Sequence, residues 1–348
     1  MIKTSRMKAI VAGREIFLDS HFNRHFDELL AGWLIIKFGD IGFIEKYAED
    51  EIITLGTGEG IFDEHPKVNE LQRQNECSAT LVAKALGIRE RPELKRLLDF
   101  ALNRDRHGPQ LLDLVYITNL WRQKFPDKPE LVFKEISKII ELEYQEQLYF
   151  HTVVKKEYEE KAKSIDLNIN GEIIKIVTIR SDEGRLNRRF RFEIKEKPGI
   201  LIQQRSSGQV QLFGNRKFPI RCLDQIAVVL RYEEQKEKGR IITTEWMLLR
   251  KEGKVKGAKE WYYNPASLGI LNGSKSAPDT TPTHLSLEKI EELVRIAIDS
   301  SSFEPSRATY CRKGICLANR LNLCPWYGWG LKRCREIRRR TYVEGASR

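Results

Sequence analysis

The chain has 348 residues, of which 41% are hydrophobic and 31% are charged, and its formal net charge is +11. This length and composition predict a folded protein of more than one domain and exclude a wholly disordered chain. No apolar run reaches the roughly 20 residues that a membrane span requires, and residues 1–8 are too polar for a secretory signal. We therefore expect a cytoplasmic protein whose six cysteines are metal ligands or reduced thiols.

The first 128 residues alternate between strand-like and helix-like segments. Strands are predicted at residues 8–12, 15–19 and 51–55, and helices at residues 26–38, 78–86, 91–101 and 110–125. This alternation predicts an α/β domain built on a parallel sheet. The loop at residues 20–25 would then follow the carboxyl end of a strand, where open α/β sheets bind their ligands.

The rest of the chain predicts a connecting helix at residues 129–164, a second mixed α/β domain at 165–303 and a basic tail at 304–348. Strand-like runs in the second domain lie at residues 174–179, 190–194, 199–204, 209–213 and 246–249, and helices at 223–236 and 285–300. The tail from residue 307 onward holds eleven Lys and Arg against two acidic residues. Such a concentration of positive charge indicates a polyanionic partner, most simply nucleic acid, or else a solvated end without a partner.

Three short segments of the first half each combine histidine with acidic residues. Four of the six histidines lie within the first 107 residues. The clusters are His21 and His25 with Asp27 and Glu28, Asp63 and Glu64 with His65, and Asp105 with His107. Imidazole and carboxylate together are ligands for Mn, Zn or Fe, and a two-metal site draws both from separate segments. The sequence therefore predicts a divalent metal site.

Over roughly the first 160 residues, these clusters resemble the DHH-type phosphoesterases in their order and approximate spacing. The closest branch is the one named after the melanocyte-proliferating gene, whose members are metal-dependent nucleases. Further points of resemblance are the small-residue helix start at residues 77–87, the acidic turn at 105–108 and the stretch at 114–121. The resemblance implies a parallel-sheet catalytic domain that a long helix joins to a substrate-binding domain.

The resemblance also assigns roles to the clustered residues. The implied metal ligands are His21, His25, Asp27, Glu64 and Asp105, with His107 as a further candidate. Asp63 would serve as a ligand or would orient one, and His65 would contact the scissile phosphate or act as an acid. The expected ion is Mn, with Mg as the alternative, and its bound water would attack the phosphodiester.

Two positions depart from the family pattern. Thr54 stands where the family has a metal-bridging aspartate, with Glu59 nearby as a substitute, and Glu64 replaces a histidine. Glutamate can still bind a hard divalent ion, so the exchange at Glu64 is tolerable. The loss of the bridging aspartate is more serious, because that carboxylate would hold two ions about 4 Å apart. Three outcomes follow: two metals bound differently, one metal, or an inactive site.

A polar loop in the second domain is the candidate substrate loop. Residues 272–284 occupy roughly the place of the family's glycine-rich substrate loop, and their backbone amides and hydroxyls could bind phosphate. The candidate substrate-binding residues are Asn272, Gly273, Ser274, Lys275 and His284. The alternative is an ordinary polar surface loop.

Four cysteines in the tail lie within 24 residues and predict a metal centre. They are Cys311, Cys316, Cys324 and Cys334. Four thiols suit a closed zinc site or an iron–sulfur cluster, and unliganded thiols are the third possibility. Cys77 and Cys222 stand alone and are predicted to be buried thiols. Trp326 and Arg333 belong to an aromatic and basic stretch that could bind single-stranded nucleic acid, or whose aromatic rings could instead pack internally.

Together these features predict a metal-dependent phosphodiesterase, specifically an exonuclease acting on single-stranded RNA or DNA. The alternatives are a catalytically degenerate nucleic-acid-binding protein and a phosphodiesterase or phosphatase for small nucleotides.

Overall fold

The computed structural model describes residues 4–22, 24–57, 60–63, 75–169, 172–188, 198–215, 223–240, 242, 246–274, 277–298, 313 and 315. The chain divides between Val153 and Val154 into two compact units. Each unit contains a sheet, three-stranded in the first and seven-stranded in the second, so the protein is of the mixed α/β class. No helix in these ranges is long and apolar enough to cross a membrane.

The sheet of the first unit combines one antiparallel and one parallel pairing. Its strands are β1 (Thr4–Val11), β2 (Arg14–His21) and β3 (Ile52–Thr54), in the order β1-β2-β3. β1 and β2 form a hairpin whose turn residues both have positive φ, the geometry that suits two-residue hairpin turns. β3 runs parallel to β2 after a helical crossover. Within the described residues the sheet is therefore mixed, whereas the sequence predicted a parallel one.

Six helices of the first unit lie within the described residues. They are α1 (Phe26–Phe38), α2 (Ile41–Tyr47), α3 (Ser78–Ala85), α4 (Pro92–His107), α5 (Leu114–Lys124) and α6 (Pro129–Tyr149). α1 has the predicted bounds, whereas α2, which Asp40 caps, was not predicted. α4 continues to Gly108, where φ becomes positive and ends the helix. Asp105 and His107 thus lie in a last helical turn, and the prediction of a loop-like turn there was wrong.

α1 is the central element of the first unit. Every residue from Phe26 to Ile35 is buried, and the helix contacts β1, α3, α4 and α6. Apolar side chains of α6, among them Ile136 and Ile140, complete this core. Burial on all sides fixes the start of α1, and with it the candidate ligands that lie there.

Beyond α6 the chain stays helical through a π-helical turn (Phe150–Val154) and α7 (Lys155–Lys161), then enters a sheet. The strands are β4 (Lys163–Ile169), β5 (Glu172–Arg180), β6 (Pro198–Gln204), β7 (Val210–Gly214), β8 (Gly253–Val255), β9 (Ala258–Asn264) and β10 (Gly269–Leu271). Their order is β4-β5-β6-β7-β10-β9-β8, and among these described strands only β5 and β6 pair in parallel. The predicted runs at 174–179 and 199–204 fall within β5 and β6, and the run at 209–213 overlaps β7.

Further helices in the described part of this unit are α8 (Asp224–Glu237), α9 (Trp246–Leu249) and α10 (Leu287–Ile298). α8 and α10 bury their apolar side chains in the core of this unit. The strand predicted at residues 246–249 was wrong, since this segment is α9. A short apolar run fits a strand and a buried helical turn equally well, so periodicity could not separate them. The strand predicted at residues 190–194 lies outside the described residues.

Candidate active site

The carboxyl end of β2 and the start of α1 place two predicted ligands side by side. His21 ends β2 and His25 precedes α1, and their rings stack with centroids 5.4 Å apart. Glu28, buried in the first turn of α1, contacts His21 Nδ1 and accepts a 2.9 Å hydrogen bond from the backbone N–H of His25. One buried carboxylate therefore holds both ends of the loop between strand and helix.

Asp27 joins α1 to α3. Its side chain is buried, and Oδ2 accepts a hydrogen bond of 3.2 Å from the backbone N–H of Ser78, the first residue of α3. The Ser78 hydroxyl donates to the carbonyl of Phe62 at 2.9 Å. Ser78 therefore links Asp27 to the segment that contains Phe62 and Asp63.

His25, Asp27 and Asp105 line a single pocket of about 380 Å³. This volume lies within the range of small-molecule sites. The three residues come from two segments that are far apart in sequence, the start of α1 and the end of α4, and a third segment, α5, closes the pocket. Its polar lining consists of His25, Asp27, Arg104, Asp105, Asn119 and Arg122.

Burial and charge set the protonation of the groups around this pocket. Burial lowers the pKa of His25, and nearby Arg122 and His21 lower it further, so the imidazole is neutral at neutral pH. Burial raises the pKa of the Cys77 thiol to about 12, with contributions from the negative charges of Asp27 and Asp105. The pocket therefore offers a neutral imidazole beside two carboxylates.

α5 supplies the part of the pocket that sequence reasoning missed. Val115, Asn119 and Arg122 recur at helical spacing and face the pocket from one side of α5. Arg122 Nη1 donates to Asn119 Oδ1 at 3.0 Å. Arg104 Nε lies 2.8 Å from Asp113 Oδ2, in an ion pair that joins α4 to the start of α5. The spacing was visible in the sequence, but nothing local indicated which face of α5 lines the pocket.

The backbone turn after β3 approaches the same buried glutamate. Gly56 has a φ of 61°, and a Cβ there would come within 3.0 Å of three Glu28 atoms. Only glycine therefore fits between β3 and the first turn of α1. At the end of β3, Thr54 stands opposite Asp19 of β2. Because this position is a threonine, the end of β3 supplies no carboxylate.

The other predicted residues of the first unit lie outside the pocket or outside the described residues. His21 and the buried Asp63 do not line it, and His107 is exposed at the end of α4. Glu64 and His65 lie outside the described residues.

His25, Asp27 and Asp105 have the donor chemistry of a transition-metal site, since neutral imidazole and carboxylate are both ligands of Mn and Zn. Among the residues that the structure describes, however, no group of three or more His, Cys, Asp or Glu side chains is arranged to hold a metal ion. The three residues share a pocket but do not form a complete coordination set by themselves.

In the second unit, the candidate substrate loop is tied into the fold by side-chain amides and one carboxylate. The buried Asn272 amide donates to the carbonyls of Glu260 (3.1 Å) and Thr281 (2.8 Å) and accepts from the backbone N–H of Thr283 (3.0 Å). This amide therefore holds the loop in place from within.

The remaining described loop residues are placed by similar contacts. Gly273 has a φ of 79° and accepts a 2.9 Å hydrogen bond from Gln211 at its carbonyl. Ser274 pairs with Ala277 in an isolated bridge. His284 Nδ1 lies 2.7 Å from the fully buried carboxylate of Glu234, and its ring is half exposed.

The remaining candidates cannot be placed. Lys275, the tail cysteines Cys311, Cys316, Cys324 and Cys334, and Trp326 and Arg333 lie outside the described residues. Of the two isolated cysteines, Cys77 is a free, buried thiol as predicted, and Cys222 lies outside the described residues.

Comparison with known proteins identifies no relative: no family model, no curated protein and no solved structure matches the chain.

Proposed function

We propose that the pocket at the start of α1 is the active site of a metal-dependent phosphodiesterase. The observation that carries the proposal is that His25, Asp27 and Asp105 line one pocket although Asp105 is far from the other two in sequence. The resemblance to DHH-type phosphoesterases, drawn from the sequence, names the same three residues as ligands. Residues that only cap helices or form ion pairs on the surface would not be expected to line one pocket together.

The donor set supports a divalent ion, with Mn as the first choice and Mg as the second. A neutral His25 and the carboxylates of Asp27 and Asp105 would hold it, with His21 and Glu64 as further ligands, and His65 would contact the scissile phosphate or act as an acid. When bound, such an ion lowers the pKa of a coordinated water and neutralises charge that develops on a phosphoryl group.

The residues around the pocket hold these groups in position. The backbone N–H of Ser78 donates to Asp27 Oδ2 and orients this carboxylate. Glu28 orients His21 and the backbone of His25. Because α1 is buried on all sides, these groups need little rearrangement to receive a substrate.

The proposed substrate is single-stranded RNA or DNA, degraded from an end. Two features support it: the pocket volume, which suits one small phosphorylated unit at a time, and the concentration of Lys and Arg in the tail. The four tail cysteines are proposed as a zinc or iron–sulfur site that folds this segment. Metal analysis of the purified chain tests this part, and a brown colour would exclude zinc alone, because Zn²⁺ is colourless.

The decisive experiment is hydrolysis of end-labelled single-stranded oligonucleotides by the full chain with Mn²⁺ or Mg²⁺. We expect mononucleotide release, which Asp27→Asn and Asp105→Asn each reduce by about 100-fold or more, since even outer-shell partners of a metal cost up to that factor. Asp99→Asn is the matched control, because Asp99 is exposed on α4 and pairs with Lys95. Activity that survives Asp105→Asn, or that no metal elicits, would overturn the proposal.

A second candidate is a nucleic-acid-binding protein that has lost catalysis. It is favoured by Thr54 at the end of β3 and by the incomplete coordination set within the described residues. Tight oligonucleotide binding without turnover would support this candidate, and turnover confined to dinucleotides would favour a small-nucleotide phosphodiesterase.

A further inference from the structure

α5 contributes a positive charge to the lining of the pocket that holds the candidate metal ligands. Arg122 is half-buried and lines the same pocket as His25, Asp27 and Asp105. Burial lowers the pKa of Arg122, and the negative charge of Glu28 acts in the opposite direction. An arginine stays protonated in proteins, so this position is a fixed cation.

A phosphate entering this pocket would meet two carboxylates, Asp27 and Asp105, that repel it. Like charges within a few ångströms repel more strongly in a partly buried pocket than in bulk water. A fixed cation in the lining of the same pocket offsets this repulsion. Guanidinium also matches phosphate geometrically, because its planar N–H groups bind two oxygens at once.

Of the two arginines that line the pocket, Arg104 has a separate task. Its Nε lies 2.8 Å from Asp113 Oδ2, and its Nη1 points to the carbonyl of Gly108. This pairing joins α4 to α5 and balances the Arg104 charge within the fold. Arg122 Nη1 donates to the neutral amide of Asn119, which lies on the same pocket-lining face of α5.

We infer that Arg122 is a substrate-binding residue that contacts the anionic phosphoryl group of the substrate in this pocket. The inference rests on the proposed function for the identity of the site, and it adds the recognition element for phosphate. Asn119 is the positioning residue, since its side-chain oxygen accepts from Arg122 Nη1.

The test is titration calorimetry of the full chain with inorganic phosphate in the presence of Mn²⁺. We expect Arg122→Gln to weaken phosphate binding at least tenfold, the effect of losing a charge-assisted hydrogen bond. The phosphate affinity of Arg122→Lys, which keeps the charge but not the planar guanidinium, should lie between those of the wild type and Arg122→Gln. Arg106→Gln is the control, because it removes one charge from α4 outside the pocket.

Several outcomes would overturn the inference. They are no phosphate binding by the wild-type chain, unchanged binding in Arg122→Gln, and equal losses in Arg122→Gln and Arg106→Gln. Thermal unfolding shows whether Arg122→Gln folds. If it does not, the phosphate affinity of Arg122→Lys decides the test. Phosphate binding that depends on Arg122 without oligonucleotide hydrolysis would support this inference while contradicting the proposed catalysis.

Discussion

Asp27 and Ser78 are 51 positions apart in the sequence, yet the Ser78 backbone N–H donates a 3.2 Å hydrogen bond to Asp27 Oδ2. The contact joins the first turns of α1 and α3 and orients the Asp27 carboxylate. Because the donor belongs to the backbone, only a substitution to proline at position 78 removes it directly. The geometry of the candidate site is therefore part of the fold of the first unit.

The buried Glu28 should be a stabilising residue as well as a part of the site. Glu28→Gln removes the negative charge that faces His21 and weakens the bond from the His25 backbone. We expect the free energy of unfolding to fall by about 1–3 kcal/mol, the range for hydrogen bonds to charged groups. Urea denaturation measures this loss, and Glu45→Gln, on the exposed side of α2, is the matched control.

His25 should make the first unit less stable in acid. Its folded-state pKa lies below the ordinary value of about 6.5, so the unfolded chain binds the proton first as the pH falls. Native stability should therefore decline from about pH 6.5 downward until the folded-state pKa is passed.

The check is urea denaturation between pH 5 and 8 for the wild type and for His25→Gln. The variant should lose less stability on acidification, while His107→Gln, at an exposed position, should follow the wild type. Parallel curves for the wild type and His25→Gln would contradict this assignment.

Cys77 should not react in the native protein. Burial, together with the charges of Asp27 and Asp105, raises its pKa to about 12, so only roughly one molecule in ten thousand carries the thiolate at pH 8. Iodoacetamide labelling followed by peptide mass spectrometry should modify Cys77 in urea but not in native buffer. Rapid native labelling would show that α3 opens at its start.

Arg231 should be the most sensitive arginine of the second unit among the residues described. It is fully buried in α8 and donates to the carbonyls of Leu249, Lys251, Gly253 and Trp261, while burial lowers its pKa to about 10. Arg231→Met leaves buried acceptors without donors, which should cost roughly 3 kcal/mol or more. Chemical denaturation tests this, with the exposed Arg240→Met expected to change little.

Substitutions at Asn272 and Ser274 should distinguish a structural role of their loop from a role in substrate binding. Its amide makes three hydrogen bonds to backbone groups, so Asn272→Ala should lower the free energy of unfolding by about 1–3 kcal/mol. Ser274→Ala removes the hydroxyl of a half-buried residue of the same loop. A loss of oligonucleotide affinity in Ser274→Ala at unchanged stability would support the predicted phosphate-binding loop.

The strongly periodic elements could be read from the sequence alone. α1 has the predicted bounds because its apolar run is bordered by the mostly polar residues 20–25 and by a glycine at position 39. The ends of α4 and the identity of α9 could not be read, since several residues there suit more than one conformation. α4 continues until Gly108 ends it, and a buried arginine holds the carbonyl of Leu249 at the end of α9.

The sequence by itself determined that histidines and acidic residues cluster in three segments and that their chemistry suits a metal. Tertiary structure decided which of them meet: His25, Asp27 and Asp105 line one pocket, whereas His21 and His107 do not. It also brought in Arg122, because the face that α5 turns inward depends on how α4, α5 and α6 pack. Local spacing records which residues share a helix face, but the distance between two helices is set by the side chains packed between them.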